Sequence, residues 1–179
     1  MSSTDLVLSV EPMAGSDEWH TNRNGFSVHA HDVGGLVIGS LDAFEGYSLG
    51  ERNGEETVVE YDTFHLQYVQ SMARPGEGIA TALIERAIAE GQDRGLSRGR
   101  AEIGNPRIVT ILDKLQDQGL ISRLEFFGGA ALLQSVERLQ ETGQSVTTTE
   151  AKDQLNAVTS ADRFGGASPK IKIRTLFAL

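Results

Sequence analysis

The stretch RPGEGIATALIERAIAEG, residues 74–91, limits what this chain can fold into more than any other, because two periodicities meet there. Before it, TVVEYDTFHLQYVQ (57–70) is rich in β-branched and aromatic residues and alternates. Phe64, Leu66 and Tyr68 share one face of a strand, and Thr63, His65, Gln67 and Val69 share the other. After it, Ile79, Leu83, Ile84, Ala87 and Ile88 recur at helical spacing, which predicts a helix from about Gly78 to Gly91 or Arg94. RAEI (100–103) supplies a further strand. The unit over 63–103 therefore reads as a right-handed parallel crossover, with the helix packing back on the sheet.

The flanking segments extend this into a mixed α/β sheet. DLVLSV (5–10) alternates as a short strand. FSVHAHD (26–32) and GGLVIGSLDAF (34–44) bracket a glycine turn, which predicts a hairpin. EGYSLGERNGEE (45–56) reads as a polar loop. In GNPRIVTILDKLQDQG (104–119), Asn105 can cap a helix and Pro106 suits its first turn. Ile108, Ile111, Leu112 and Leu115 form its stripe, and Gly119 can end it. LISRLEFF (120–127) is a strand candidate. A helical pair follows, over 130–142 and after Thr147, whose spacing to Glu150 fits a capping box. KIKIRTLFAL (170–179) closes as a strand. One domain is expected over 1–179, with 26–127 as its core and 128–165 as a helical insertion.

The turn itself carries two readings. A helix N-terminus presents unpaired amide N–H groups and a partial positive charge, and glycines ahead of it let an anion approach. Gly76, Gly78 and Ala80 would expose backbone in this way, and Thr81 adds a hydroxyl. The alternative is a strand-to-helix turn that uses glycine only for its backbone angles. A nucleotide-binding P-loop is excluded, since no Lys-Ser/Thr pair follows Gly78. Thr81 stands where a dinucleotide fingerprint needs its third glycine.

Bulk properties remove other classes. A net charge of −9 argues against direct nucleic-acid binding. The absence of cysteine excludes disulfides, zinc–thiolate sites and cysteine nucleophiles. No apolar run is long enough to cross a membrane, and the N-terminus lacks a signal-peptide pattern. A cytoplasmic location is expected. His29 and His31 share a strand face, but neither His20 nor any other side chain supplies a third ligand at fixed spacing, so no metal is assigned.

The hairpin FSVHAHDVGGLVIGSLDAF, the strand TFHLQYVQ, the turn-helix RPGEGIATALIERAIAEG and the later NPRIVTILDKL resemble, in that order, the GNAT superfamily of acyl-CoA-dependent N-acyltransferases. The resemblance covers roughly residues 26–127. It implies a mixed, mostly antiparallel sheet with a central strand-helix-strand crossover. It also implies that the turn binds the coenzyme A pyrophosphate through backbone amides. The family pattern [Q/R]-x-x-G-x-[G/A] is met by Gly78 and Ala80, and it places Gly76, Ile79, Thr81, Arg74 and Asn105 around acetyl-CoA. A backbone amide at the end of the splayed strand, at Tyr68, Val69 or Gln70, would polarise the thioester. Several positions depart from the family. Pro75, which has no N–H, stands at the Gln/Arg position, with Arg74 one residue early. Leu112 occupies the place of the tyrosine that protonates the departing thiolate. The front segment 11–25 is too short for the usual pair of acceptor-binding helices.

Amine acetylation needs a base for the nucleophile, and the polar face of 63–70 offers His65. Glu60 is the second candidate, on the opposite parity. The simpler reading of His65 is an ordinary polar residue on a half-exposed strand. Two functions follow. One is an N-acetyltransferase moving an acetyl group from acetyl-CoA to an amine-bearing small molecule or peptide. The other is a silent GNAT-fold component of a larger assembly such as a phage virion, held by protein partners or as a homo-oligomer.

Overall fold

Hydrophobic alternation and helix punctuation in the sequence are realised as eight strands and three helices among the described residues. The computed structural model describes residues 6–13, 24–52, 55–71, 78–128, 144–162 and 173–179. In chain order these are β1 (Val7–Met13), β2 (Gly25–His31), β3 (Val37–Arg52), β4 (Glu55–Ser71), α1 (Ile79–Asp93), β5 (Arg98–Ile103), α2 (Pro106–Asp117), β6 (Arg123–Gly128), β7 (Gln144–Val146), α3 (Thr148–Asp162) and β8 (Ile173–Ala178). The strands hydrogen-bond in the order β1-β2-β3-β4-β5-β8-β6-β7. The sheet is mostly antiparallel with one parallel pair. As the crossover reading expects, α1 joins two neighbouring strands, β4 and β5. No helix among the described residues is long and apolar enough to cross a membrane.

The chain divides into two compact units. The first contains β1, β2, β3 up to Tyr47, β4 from Glu60, α1 and the start of β5. Along β2, Phe26, Val28 and Ala30 are fully buried while Ser27, His29 and His31 are half-buried. Their partners on β3, Ala43, Leu41 and Gly39, share the buried face. Ala30 pairs with Gly39 but His31 pairs with Val37, so Ile38 is the extra residue of a β-bulge. α1 lays Ile79, Leu83, Ile84, Ala87 and Ile88 on this face, the stripe expected from the sequence. Arg94 closes the helix end, 4.6 Å over the Phe26 ring and paired with Glu45 at 2.6 Å and Glu90 at 2.9 Å.

The second unit contains the end of β3 from Ser48, the start of β4 up to Val59, the rest of β5, α2, β6, β7, α3 and β8. α2 buries Val109, Leu112 and Leu115, whereas Ile108 and Ile111 are only half-buried. The stripe is rotated from the expected one because α2 packs against both β6 and α3. Thr148 Oγ1 donates to Asp113 at 3.0 Å across the two helices. Gly119, at φ 76°, turns the chain so that the Leu120 amide bonds the Leu115 carbonyl. That cap delays β6 to Arg123.

Two expectations change. Residues 45–56 are not a loop: β3 continues to Arg52 and β4 begins at Glu55. An antiparallel ladder is built from backbone groups, so a polar sequence does not end it. β7, which pairs with Phe126–Gly128 of β6, was not expected. The expected helix at 130–142 and the linker at 165–169 lie outside the described residues.

Candidate functional site

The three helices begin differently. Asn105 sits at the N-cap of α2 in extended conformation and accepts from the Arg107 amide at 3.0 Å. At α3, Glu150 accepts from the Thr147 amide at 2.7 Å and Thr147 Oγ1 accepts from the Glu150 amide at 3.2 Å, the expected capping box. The Thr147 amide also holds the Glu150 carboxyl below its ordinary range. α1 starts on Gly78 at φ 77° and ψ 5°, with no side-chain cap and no acidic residue in its first turn. Gly78 is exposed, and a Cβ there would meet nothing within 4 Å. Ile79 is buried, and Ala80 and Thr81 are half-buried. Among the described residues no side chain caps this helix start, whose dipole end is positive.

The end of β4 belongs to the same unit. Val69 is half-buried and Gln70 exposed, and the Gln70 carbonyl lies 3.1 Å from where a Gly39 Cβ would be. At the far end of the crossover, Asp62 of β4 accepts from Arg98 at 2.7 Å and from Ser97 at 2.7 Å, fastening the start of β5 to β4. The Arg98 guanidinium, with help from the Ser97 hydroxyl, lowers the Asp62 carboxyl to about 2.

His65 is half-buried on β4. Phe64 and Leu66 beside it are buried under α1, so His65 lies on the opposite face of the sheet. Glu60 also lies on β4, within this unit. Arg74 and Gly76 lie outside the described residues. Asn105 belongs to the second unit, where its side-chain oxygen is committed to capping α2. Leu112, where the resemblance would place a proton donor, is fully buried.

The reverse face of β1–β3 is a polar surface that the sequence reading saw only as a histidine pair. Register places Ser9, His29 and Ser40 in one cross-strand row, and Glu11, Ser27 and Asp42 in the next. Ser27 donates to Asp42 at 2.6 Å, and Ser9 bonds His31 Nε2 at 2.9 Å. His29 Nδ1 is buried without a partner among the described residues. The signal was alternation itself: Ser27, His29 and His31 occupy every second position of β2. No group of three or more acidic or histidine side chains that could hold a metal occurs among the described residues.

No protein-family profile matches this chain, and no curated protein matches it. Solved structures do. The IAA acetyltransferase of Bacillus cereus ATCC 14579 aligns over 97% of this chain and 100% of its own, at 15% identity and a TM-score of 0.50. A GNAT superfamily phosphinothricin acetyltransferase of Sinorhizobium meliloti, in complex with AcCoA, aligns over 87% of this chain at 15% identity and a TM-score of 0.49. A GNAT family N-acetyltransferase of Escherichia coli, in complex with CoA, aligns over 48% at 17% identity and a TM-score of 0.38. The chain spans 61% of the Sinorhizobium protein and 43% of the Escherichia protein. At these identities the likeness is one of fold, and the end-to-end match to the Bacillus protein agrees with the mixed sheet and its helix-linked strands β4 and β5. The chain is a divergent representative of the GNAT fold.

Proposed function

We propose that this chain binds acetyl-CoA at the start of α1 and transfers its acetyl group to an amine. The observation that carries this reading is the contrast between helix starts. Among the described residues α2 and α3 are capped by side chains, while α1 starts at an exposed left-handed glycine without a side-chain cap. The neighbour crystallised with AcCoA motivates the choice of ligand.

In this reading the amides of Gly78, Ile79, Ala80 and Thr81 hold the pyrophosphate; Arg74 and Gly76, which the resemblance also assigns to it, lie outside the described residues. Backbone at Val69 or Gln70 donates to the thioester carbonyl oxygen and stabilises the charge that develops there. Acetyl-CoA supplies an activated acyl carbon. His65 takes a proton from the acceptor nitrogen, with Glu60 as the second candidate. His65 passes that ammonium proton to solvent; the nitrogen–carbon bond forms as the carbon–sulfur bond breaks, and a second N–H proton ends on the coenzyme sulfur. The acceptor approaches over the polar reverse face, where the carboxylates of Asp42 and Glu11 favour a cationic amine. A second reading, a silent component of a larger assembly, is favoured by Leu112, whose burial leaves no proton donor at that position.

Calorimetry with acetyl-CoA, followed by free-thiol release with a panel of polyamines and peptides, tests both. Binding together with thiol release supports the enzyme. Binding without release favours the silent component. No heat and no thermal shift at millimolar coenzyme would mean that the turn is only a turn.

A further inference from the structure

We infer that Gly39 on β3 is a positioning residue that sets where the open end of α1 stands relative to the end of β4, and that coenzyme affinity depends on its lack of a side chain. The inference rests on the acetyl-CoA reading of the α1 turn. A Cβ at Gly39 would fall 2.6 Å from Ile79 Cγ2, 3.2 Å from Leu83 Cδ1 and 3.1 Å from the Gln70 carbonyl oxygen. Ile79 is the first residue of α1, Leu83 lies one turn on, and Gln70 precedes the glycine turn. Three parts of the proposed site thus converge on one missing methyl group.

The local sequence builds this approach. The bulge at Ile38 shifts the register so that Gly39 pairs with Ala30 and faces α1; without the extra residue it would face the other way. The row beneath the start of α1 is therefore Ala30–Gly39, the smallest on that face. The rows further along are Val28–Leu41 and Phe26–Ala43, with Phe64 beside them. The helix is shaped in the opposite sense. It puts Ile79 and Leu83 against Gly39, and Gly91 against Phe64. At Gly91 a Cβ would fall 2.7 Å from Phe64 Cε1. The helix is seated by a taper at each end, and only the Gly39 end borders the turn. A methyl at Gly39 must move Ile79 or the Gln70 carbonyl by several tenths of an ångström, because packed interiors have no slack to absorb it.

Gly91→Ala supplies the control, since it crowds the same helix as tightly at its far end. We expect Gly39→Ala to weaken acetyl-CoA binding about tenfold or more by calorimetry, misplacement of a positioned group being that costly. Gly91→Ala should lower the melting temperature comparably yet leave the dissociation constant within about twofold. Gly39→Ala/Ile79→Ala, which removes the atom nearest the new methyl, should regain most of the lost affinity. Ile79→Ala and Ile88→Ala give a second comparison should Gly39→Ala not fold. Both truncate buried residues of α1, and only the first should weaken binding. Wild-type affinity in Gly39→Ala, or equal losses in Gly39→Ala and Gly91→Ala, would overturn the inference while leaving the acetyl-CoA reading intact. A wild-type protein that binds no acetyl-CoA would overturn that reading, and the inference with it.

Discussion

Replacing Gly78 separates its backbone role from its role beside a ligand. At φ 77° a residue with a Cβ costs about 1–2 kcal/mol relative to glycine. No steric cost adds to this, because the new Cβ meets nothing within 4 Å. For a chain of this size 1 kcal/mol moves the melting temperature by about 2–4 °C, so Gly78→Ala should melt about 2–8 °C below wild type. Alanine leaves every amide of the first turn in place. Acetyl-CoA at about a hundred times its dissociation constant should still stabilise the variant by about 2.7 kcal/mol. Gly78→Asp is strained no more than alanine, since Asp tolerates the left-handed region, but it sets a carboxylate where phosphate must stand. Its melting temperature should not respond to acetyl-CoA. Thermal unfolding of the three proteins, each with and without coenzyme, reads both effects. An equal coenzyme shift in wild type and Gly78→Asp would refute the placement of phosphate at this turn, and an unchanged melting temperature in Gly78→Ala would refute the left-handed glycine.

Asn105→Ala should cost about 1 kcal/mol through loss of the α2 cap, whereas Asn105→Ser keeps a capping oxygen and should melt and bind acetyl-CoA as wild type does; weaker binding in the serine variant alone would show a second role. Asp62 has its folded pKa lowered to about 2 from an ordinary 3.8, so its pairing stabilises the fold above about pH 4 and is lost as pH falls through 2. The melting-temperature gap between wild type and Asp62→Asn should therefore close between pH 4 and 2; the pair is half-exposed, so the gap at neutral pH should correspond to under about 1 kcal/mol. Leu112→Tyr should not create a proton donor, because the position is fully buried; overpacking should cost about 1–3 kcal/mol, and a faster thiol release would show the hydroxyl reaching the reaction. His65→Ala should lower kcat at pH 7 by about 10²–10⁴-fold if His65 is the base, with partial recovery at pH 9 and no change in acetyl-CoA affinity; a kcat equal to wild type would remove the assignment.

The fold was legible where periodicity and punctuation agreed. The α1 stripe, the Asn105–Pro106 start of α2 and the Thr147–Glu150 box were readable because each needs only neighbours along the chain. The Ile38 bulge, the rotation of α2 and the strand β7 were not, since each depends on what lies across the sheet or on a second helix. The site divides in the same way. The glycine turn could be read as a motif, but that α1 alone among the helices of the described residues lacks a side-chain cap emerged only from the structure. The close approach at Gly39 was invisible, because a glycine inside an apolar strand carries no signal until the helix above it is placed. The polar rows on β1–β3 needed the cross-strand register that puts Ser9 and Ser40 on either side of His29.

The buried Leu112 weighs less against catalysis than its place in the resemblance suggests. A thiol of pKa about 8.5 leaves as its anion near neutral pH without being far from equilibrium with its acid. A primary amine of pKa about 10.4 is neutral in only about one molecule in 2,500 at pH 7, which corresponds to about 4.6 kcal/mol for the step that creates the nucleophile. Removing a proton from the acceptor is thus the harder task, and in the acetyltransferase reading it would fall to the polar face of β4 and its neighbours rather than to α2. His65 lies on that face, and so do the Asp42 and Glu11 carboxylates that would concentrate a cationic acceptor there. A chain that has lost the acid but kept this face would still acetylate amines, slowly at low pH and faster as the acceptor deprotonates.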